Sequence, residues 1–313
     1  AAVASIAAIA SLTACGGVKD ANTASGSAIT IGTTDKITSV DPAGSYDNGS
    51  YAVQIQIFPF LYAQDYNTSE LSPDIAADDG TWNDDGTEFT VKIKGLKFAN
   101  GHDLTASDVK FSYDRIKTIN DANGPSSLLA NVESVEAPDD TTVVFKDSVP
   151  FDVTLKQVMS SPAGPIVDEE VFDADKLTDA DTIVRGNAFA GPYKLTAFKM
   201  TETASYEKND SYKGLTPAKN DAIQVKYFAE LNLKLNVQQG QIDVAFRSLT
   251  PTDIEDLSKD SKVKVVKGPG GEERFLTFNF KIQPTDESQS DADANKAKAV
   301  RQAVANLIDR DEL

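Results

Sequence analysis

One histidine, one cysteine and 48 carboxylates bound the chemistry open to this chain of 313 residues. A nucleophile–histidine triad would have to use His102, because there is no other imidazole. A single cysteine excludes an internal disulfide and a cysteine-rich metal site, and a lone histidine removes most histidine-based zinc sites. Calcium loops place Asp, Gly and Glu at fixed intervals, a spacing not found here. A glycosidase needs two carboxylates roughly 5–10 Å apart in one cleft, and no motif marks such a pair. Binding chemistry remains, and Arg247 is the residue to single out. A guanidinium takes a carboxylate bidentately, and that pair is worth more in a closed cleft than in water. The competing reading of Arg247 is a solvated surface arginine. Phe246 beside it either stacks on a ligand or fills the core. His102, in the turn between an expected hairpin and an expected helix, reads as a surface turn residue rather than a ligand or catalyst. Asp41 and Asp108 read as turn or cap acids. Pairs such as Asp78–Asp79 and Asp139–Asp140 read as solvated faces.

The elements that position these residues follow from composition and patterning. The net charge is −18, with only 30 Lys and Arg, scattered singly or in pairs. Nucleic-acid binding is thereby disfavoured, since phosphate contacts need clustered cations. With 40% hydrophobic and 25% charged residues the chain is globular, and its length suits about two domains.

Residues 1–14 are uncharged and rich in Ala, Ile and Val. The run is too short for a membrane span, which needs roughly 20 apolar residues. It reads as the apolar core of a secretory signal peptide that begins inside the signal. It ends Leu12-Thr13-Ala14-Cys15-Gly16, which resembles the bacterial lipobox. That resemblance implies a lipidated Cys15 and a membrane anchor. Residues 15–28 would then be the lipidated cysteine and a flexible tether. The terminal Arg-Asp-Glu-Leu matches an endoplasmic-reticulum retention signal, a match incoherent with a lipobox and read as accidental.

Order is expected from Ala28, with a β-branched strand at 28–32. Residues 51–62 are densely apolar and interrupted by Pro59. The segment 82–93 reads as a hairpin, with Asp85-Gly86 in the turn and Phe89, Val91 and Ile93 alternating with polar residues. Thr105 reads as the N-cap of a helix carrying Val109, Phe111, Tyr113 and Ile116. Residues 131–147 predict two strands about Pro138-Asp139-Asp140. Further strands are expected at 193–198, 203–207, 223–228, 243–246, 263–266 and 274–280. Helices are expected at 150–159, 230–239, 251–258 and 294–308, the last with Val300, Val304, Leu307 and Ile308 on one face. Strands and helices mix throughout, so the class is α/β or α+β.

Several segments, in order, resemble the extracytoplasmic solute-binding proteins of peptide- and nickel-type ABC importers. Asp41-Pro42 is similar to an early family element. The stretch from Phe98-Ala99-Asn100-Gly101 through Leu104-Thr105-Ala106-Ser107-Asp108-Val109 to Phe111-Ser112 is similar to the most diagnostic one. Gly191-Pro192-Tyr193, Asn209-Asp210-Ser211-Tyr212, Gly240-Gln241-Ile242-Asp243 and the run from Val300 to Arg310 follow. The chain departs from the pattern at Phe189-Ala190, where Gly-Thr is usual, and at Lys208, where Arg is usual. The resemblance covers about residues 29–313. It implies an α/β, type II periplasmic-binding-protein-like clam-shell of two lobes, with the ligand held between them. The first lobe would span 29–273, with an inserted subdomain near 47–168. A hinge strand and the start of a mostly missing second lobe would span 274–313. The sequence is therefore expected to be truncated at both ends. Implied ligand contacts are Ile37, Thr38 and Ser39, then Phe246, Arg247 and Ser248, then Gly270 and Gly271, with Asn123 near the cleft mouth. Peptide is the favoured ligand, bound through main chain as in strand addition. The implied partners are an ABC permease and its ATPase subunits. The protein would be a monomer, lipid-anchored on the outer face of the cytoplasmic membrane, without cofactor, metal, catalytic residue or nucleic acid. The alternatives are a receptor for an oligosaccharide or a nickel chelate, and a surface lipoprotein that reuses the fold for signalling or adhesion.

Overall fold

The β-branched residues Ile29, Thr30 and Ile31 lie in strand β1 (Ala28–Thr33). The computed structural model describes residues 28–64, 68, 70–229, 232–247, 249–268, 275–280 and 291–309. Two compact units result, one ending at Val265 and one running from Val266.

In the first unit, Asp41 caps a short 3-10 turn at Pro42–Gly44, and Asp47 caps α1 (Asn48–Ile57) by accepting the Ser50 N–H. Helix α1 stops at Phe58 because the residue before a proline is pushed out of helical geometry. That settles the apolar run at 51–62 as a helix, an extended step at Phe58–Pro59 and the short strand β2 (Tyr62–Gln64), which pairs with β3 (Leu71–Pro73). The expected hairpin at 82–93 forms from β4 (Thr81–Trp82) and β5 (Glu88–Lys92), with Gly86 in the turn at φ +70°. A second small hairpin, β6 (Leu96–Lys97) and β7 (Asp103–Leu104), turns at Gly101. Next comes α2 (Ala106–Ile119), started by a capping box between Thr105 and Asp108. Strands β8 (Val132–Asp139) and β9 (Thr142–Asp147) complete an antiparallel sheet of order β4-β5-β9-β8.

Two cores lie in this unit. In one, Val109, Tyr113 and Ile116 of α2 share a cluster with Phe89, Val91, Val143 and Phe145. Their i, i+4, i+7 spacing is one helix face. Phe111 falls off that face and packs against the second core, which contains Val53, Ile57, Phe172, Ile183 and Phe189.

The helix expected at 150–159 is only α3 (Leu155–Met159). Phe151 takes φ +53°, and Asp152 accepts the Thr154 N–H, so the chain turns before it can coil. Helix α4 (Ala180–Gly186), capped by Asp179, was not expected, because it is short and only Ala180, Ile183 and Val184 supply apolar side chains. Strands β10 (Tyr193–Lys199), β11 (Thr203–Lys208) and β12 (Ala222–Tyr227), helix α5 (Leu233–Gln238) and strand β13 (Val244–Phe246) follow the expected order, and α6 (Pro251–Lys259) comes after them. They build a sheet of order β10-β11-β12-β1-β13 in which β1 is parallel to both neighbours. Helix α5 lies close to Gly32, where a Cβ would meet the Leu233 and Ile242 side chains at 2.9 and 2.5 Å.

Residues 263–266 are not a strand, although one was expected. The run has β-forming residues but no described strand pairs with it, and Val266 is exposed. In the second unit, 275–280 likewise lack the expected strand, with Phe275 and Leu276 exposed. Helix α7 (Asp291–Leu307) covers the predicted helix except Ile308, and Arg301 stacks on Phe280. Ala297 is buried, while Val300 and Leu307 of the predicted apolar face are exposed. Among the described residues no helix is long and apolar enough to cross a membrane.

Candidate functional site

Open α/β sheets place their sites at the carboxyl ends of parallel strands. Here β1 is flanked by two parallel partners, with Thr33 in register with Tyr227 of β12 and Phe246 of β13. The chain leaving β1 is the loop of Asp35, Ile37, Thr38 and Ser39. The chain leaving β13 is Arg247. The structure therefore brings two of the predicted contact segments to the same end of one sheet.

The β1 loop is held from beneath. Ser50 Oγ accepts the backbone N–H groups of Thr38 and Ser39 at 3.0 and 3.2 Å. Thr38 Oγ1 donates to Asp47, which also accepts from the Ser50 N–H and hydroxyl at 2.8 Å each. Burial raises the Asp47 carboxyl, but the bonds from Thr38 and Ser50 outweigh it and hold the group below the usual carboxylate range. Ile37 is buried and anchors the loop, while Thr38 is exposed and Ser39 half-buried. The Thr38 hydroxyl and the Thr38 and Ser39 N–H groups are thus spent on holding the shape of this loop.

Arg247 sits at φ +65°, a left-handed conformation that a non-glycine residue adopts at a cost of about 1–2 kcal/mol. Its guanidinium lies 5.4 Å from the centre of the Phe246 ring, and Nε is 4.0 Å from Asp35 Oδ2. Phe246 is 48% exposed, so it is not a core residue. It lines a groove of about 280 Å³ with Ile31, Val225, Tyr227 and Val244 on the sheet face and Ala52 on α1. Burial first, and then the Asp35 carboxylate, push the Tyr227 phenol upward, so it remains a neutral hydroxyl. An apolar floor beside a weakly paired cation can take a ligand with an apolar body and an anionic end.

Asn123 is exposed and comes from a different part of the chain. Its neighbour Gly124 packs directly on the 3-10 turn after Asp41, where a Cβ would lie 2.2 Å from the Ala43 carbonyl oxygen. Ser248, Gly270 and Gly271 of the expected site, and Cys15, lie outside the described residues.

Two of the residues that organise this region were not expected from sequence. Arg115 is fully buried and grips Asp41 with two bonds of 2.7 and 2.9 Å. It also donates to the carbonyls of Asp173 and Lys176. Asp41 accepts in addition from Ala43 and Thr178, so its role as a cap is real but incomplete. Asp74, also buried, accepts from the Phe60 and Leu215 N–H groups and the Tyr212 hydroxyl. The readable signal for Arg115 was its place on α2: Asp108, Ser112 and Arg115 make a buried polar stripe at i, i+4, i+7.

Residues 70–313 match the family described as bacterial extracellular solute-binding proteins, family 5 Middle. A probable D,D-dipeptide-binding periplasmic protein of Escherichia coli K12 is 27% identical over 255 residues, 80% of this chain and 48% of that protein. The glutathione-binding protein of the same strain is 26% identical over 82% of this chain and 49% of its own length. The chain thus spans about half the length of the curated relatives it matches. Among solved structures, Listeria monocytogenes OppA bound to peptide superposes with a TM-score of 0.66 at 21% identity, over 76% of this chain and 49% of that one. A Campylobacter jejuni protein in complex with Ni(L-His) gives 0.64 at 20% identity, over 75% and 45%. At such identities the structural likeness shows the fold, which is the type II periplasmic-binding-protein fold. The match over 70–313 places the chain in family 5 of the bacterial extracellular solute-binding proteins.

Proposed function

We propose that this chain belongs to the solute-capturing component of an ABC importer and that its ligand is a peptide or a related small solute. The family match over residues 70–313 carries the reading. In this reading the protein binds its ligand without transforming it and hands it to a membrane permease served by ATPase subunits. Residues 29–273 form its first lobe, with an inserted subdomain near 47–168, and 274–313 begin the second. The loop at Ile37–Ser39 offers main chain to the ligand, and Arg247 takes a terminal or side-chain carboxylate. The protein works as a monomer on the outer face of the cytoplasmic membrane, tethered through lipid on Cys15.

Two observations favour peptide over the alternatives. Relatives named for dipeptide and glutathione binding match most of the chain. The β1 loop has the Thr38 side chain and the Thr38 and Ser39 N–H groups tied up, which leaves its main-chain carbonyls to meet a ligand. A nickel chelate is the second reading, favoured by the fold shared with the Ni(L-His) complex. Native mass spectrometry of the purified protein tests both. Co-purified masses that fragment as short peptides are expected. A sugar or a metal chelate in their place would discard peptide. Cys15→Ser should move the protein from the membrane fraction to the soluble one, and continued fractionation with membranes would remove the lipid anchor.

A further inference from the structure

The sole histidine of the chain does not stand free at its turn. His102 Nδ1 lies 2.8 Å from Asp168 Oδ2 and 3.7 Å from Glu170 Oε1. The three ligand atoms all fall within 4.8 Å of one another. A tetrahedral zinc ion with bonds of about 2.0–2.1 Å sets its ligand atoms about 3.3 Å apart. The two measured separations straddle that value, so small rotations of His102 and Glu170 would close the set on an ion.

We propose that His102, Asp168 and Glu170 form a divalent transition-metal site. Asp168 is its fixed member. Its side chain is 1% exposed, Oδ1 accepts the Glu170 N–H at 2.9 Å, and Oδ2 accepts from Asn100 Nδ2 at 2.8 Å. Asn100 also accepts the His102 backbone N–H through Oδ1 at 3.0 Å, so one amide orients both ligands from outside the set. The line from Nδ1 to Oδ2 now holds a hydrogen bond, and a metal ion would take its place, with Nδ1 supplying its lone pair. His102 and Glu170 are 37% and 68% exposed, which leaves a solvent side for entry and for water in the remaining position. An imidazole with two carboxylates selects zinc, nickel or copper over magnesium or calcium, which prefer oxygen alone. The ion would staple the β6–β7 turn to the 168–170 segment. The two are already joined directly by the bonds of Asn100 and His102 to Asp168, and also through α2, whose Asp108 accepts the Glu169 N–H at 3.1 Å. None of these residues belongs to the candidate ligand site, so the proposal does not depend on which solute the protein carries. It also revises the sequence expectation that His102 is a plain turn residue.

The test uses the full chain stripped of metal with EDTA. It is titrated with zinc chloride by calorimetry, and with cobalt chloride while visible absorption reports tetrahedral coordination. One ion per chain is expected. His102→Gln and Glu170→Gln should each weaken zinc binding by more than about tenfold and remove the cobalt bands. Glu133→Gln, an exposed acid elsewhere, should change neither. Asp168→Asn is unsuited, because the same oxygens hold Asn100 and Glu170, whereas Glu170 is exposed and its variant keeps the fold. Zinc binding that survives both substitutions would place the metal elsewhere and overturn the assignment. So would the absence of saturable binding below about 1 mM.

Discussion

Two Arg–Asp pairs stand in the first unit, and they are built in opposite ways. Arg115 and Asp41 are buried, meet through two short bonds and have their remaining polar capacity taken up by Thr178, Ala43 and two carbonyls. Arg247 and Asp35 are 4.0 Å apart, and the guanidinium side chain is 45% exposed on a left-handed backbone. A buried charge that is fully paired is committed to structure, because losing either partner strands the other. A loosely paired charge over an aromatic ring keeps its hydrogen-bonding fork for something else. The contrast separates the part of the molecule that holds the fold from the part able to meet a ligand.

The first way to break the comparison is Arg115→Ala, which should have the largest effect. It leaves the Asp41 carboxylate buried without its cation, a loss of about 3–5 kcal/mol. Arg115→Lys should recover only part of it, since an ammonium cannot reproduce the fork that serves Asp41 and two carbonyls at once. Urea unfolding measures both, and a loss below about 1 kcal/mol would mean the pair is not the structural node described.

Asp47 should come next. Its carboxylate caps α1 and holds Thr38 and Ser50 together, so Asp47→Ala should cost about 1–2 kcal/mol. It should also speed amide exchange at Thr38 and Ser39, whose N–H groups point at Ser50. Unchanged exchange there would show that the loop is held some other way. The pH response of Asp108 sharpens the same contrast on the buried side. Burial pushes its carboxyl from 3.8 up to about 6, against the Thr105 and Glu169 N–H bonds that pull it down. A raised folded value means that the folded chain holds a proton the unfolded chain has released. The contribution is therefore complete below about pH 4 and lost as pH rises through 6. Asp108→Asn should lack that portion of the slope, read as Tm against pH from 4 to 7.

Much of this architecture was legible in sequence, for reasons that differ by residue. The β4–β5 hairpin announced itself through Asp85-Gly86 and the alternation at Phe89 and Val91, both local signals. The capping box at Thr105 and Asp108 is equally local. The pairing of Arg115 with Asp41 joins residues far apart in the chain, and pattern along one helix could suggest that Arg115 is buried but not against what. Of the candidate site, the sequence resemblance picked both segments that meet at the end of the parallel strands. It did not pick Asp35 or Tyr227, which carry no motif and matter only because β1, β12 and β13 lie side by side. The contacts of His102 were illegible for the same reason: it lies in a turn, as expected, but Asp168 and Glu170 reach it from a segment more than sixty residues away.

The smallest expected change in stability discriminates best between the two pairs. At Arg247 the backbone is in a conformation that glycine adopts freely and arginine does not. Arg247→Gly removes the strain and deletes an exposed side chain whose ionic contact with Asp35 is long. Its stability should rise by about 1 kcal/mol or stay level, with the gain limited by the greater freedom of glycine in the unfolded chain. Ligand affinity should move the other way, falling by about tenfold or more, as for a charge-assisted hydrogen bond of 1.5–3 kcal/mol. Arg247→Lys should keep the charge, keep the strain and recover only part of the affinity, because the fork is lost. A glycine variant less stable than the parent would mean that Arg247 is a structural residue like Arg115. A more stable variant with unchanged affinity would leave the strain without a functional reason and would move the ligand's anionic end elsewhere along the β1 loop.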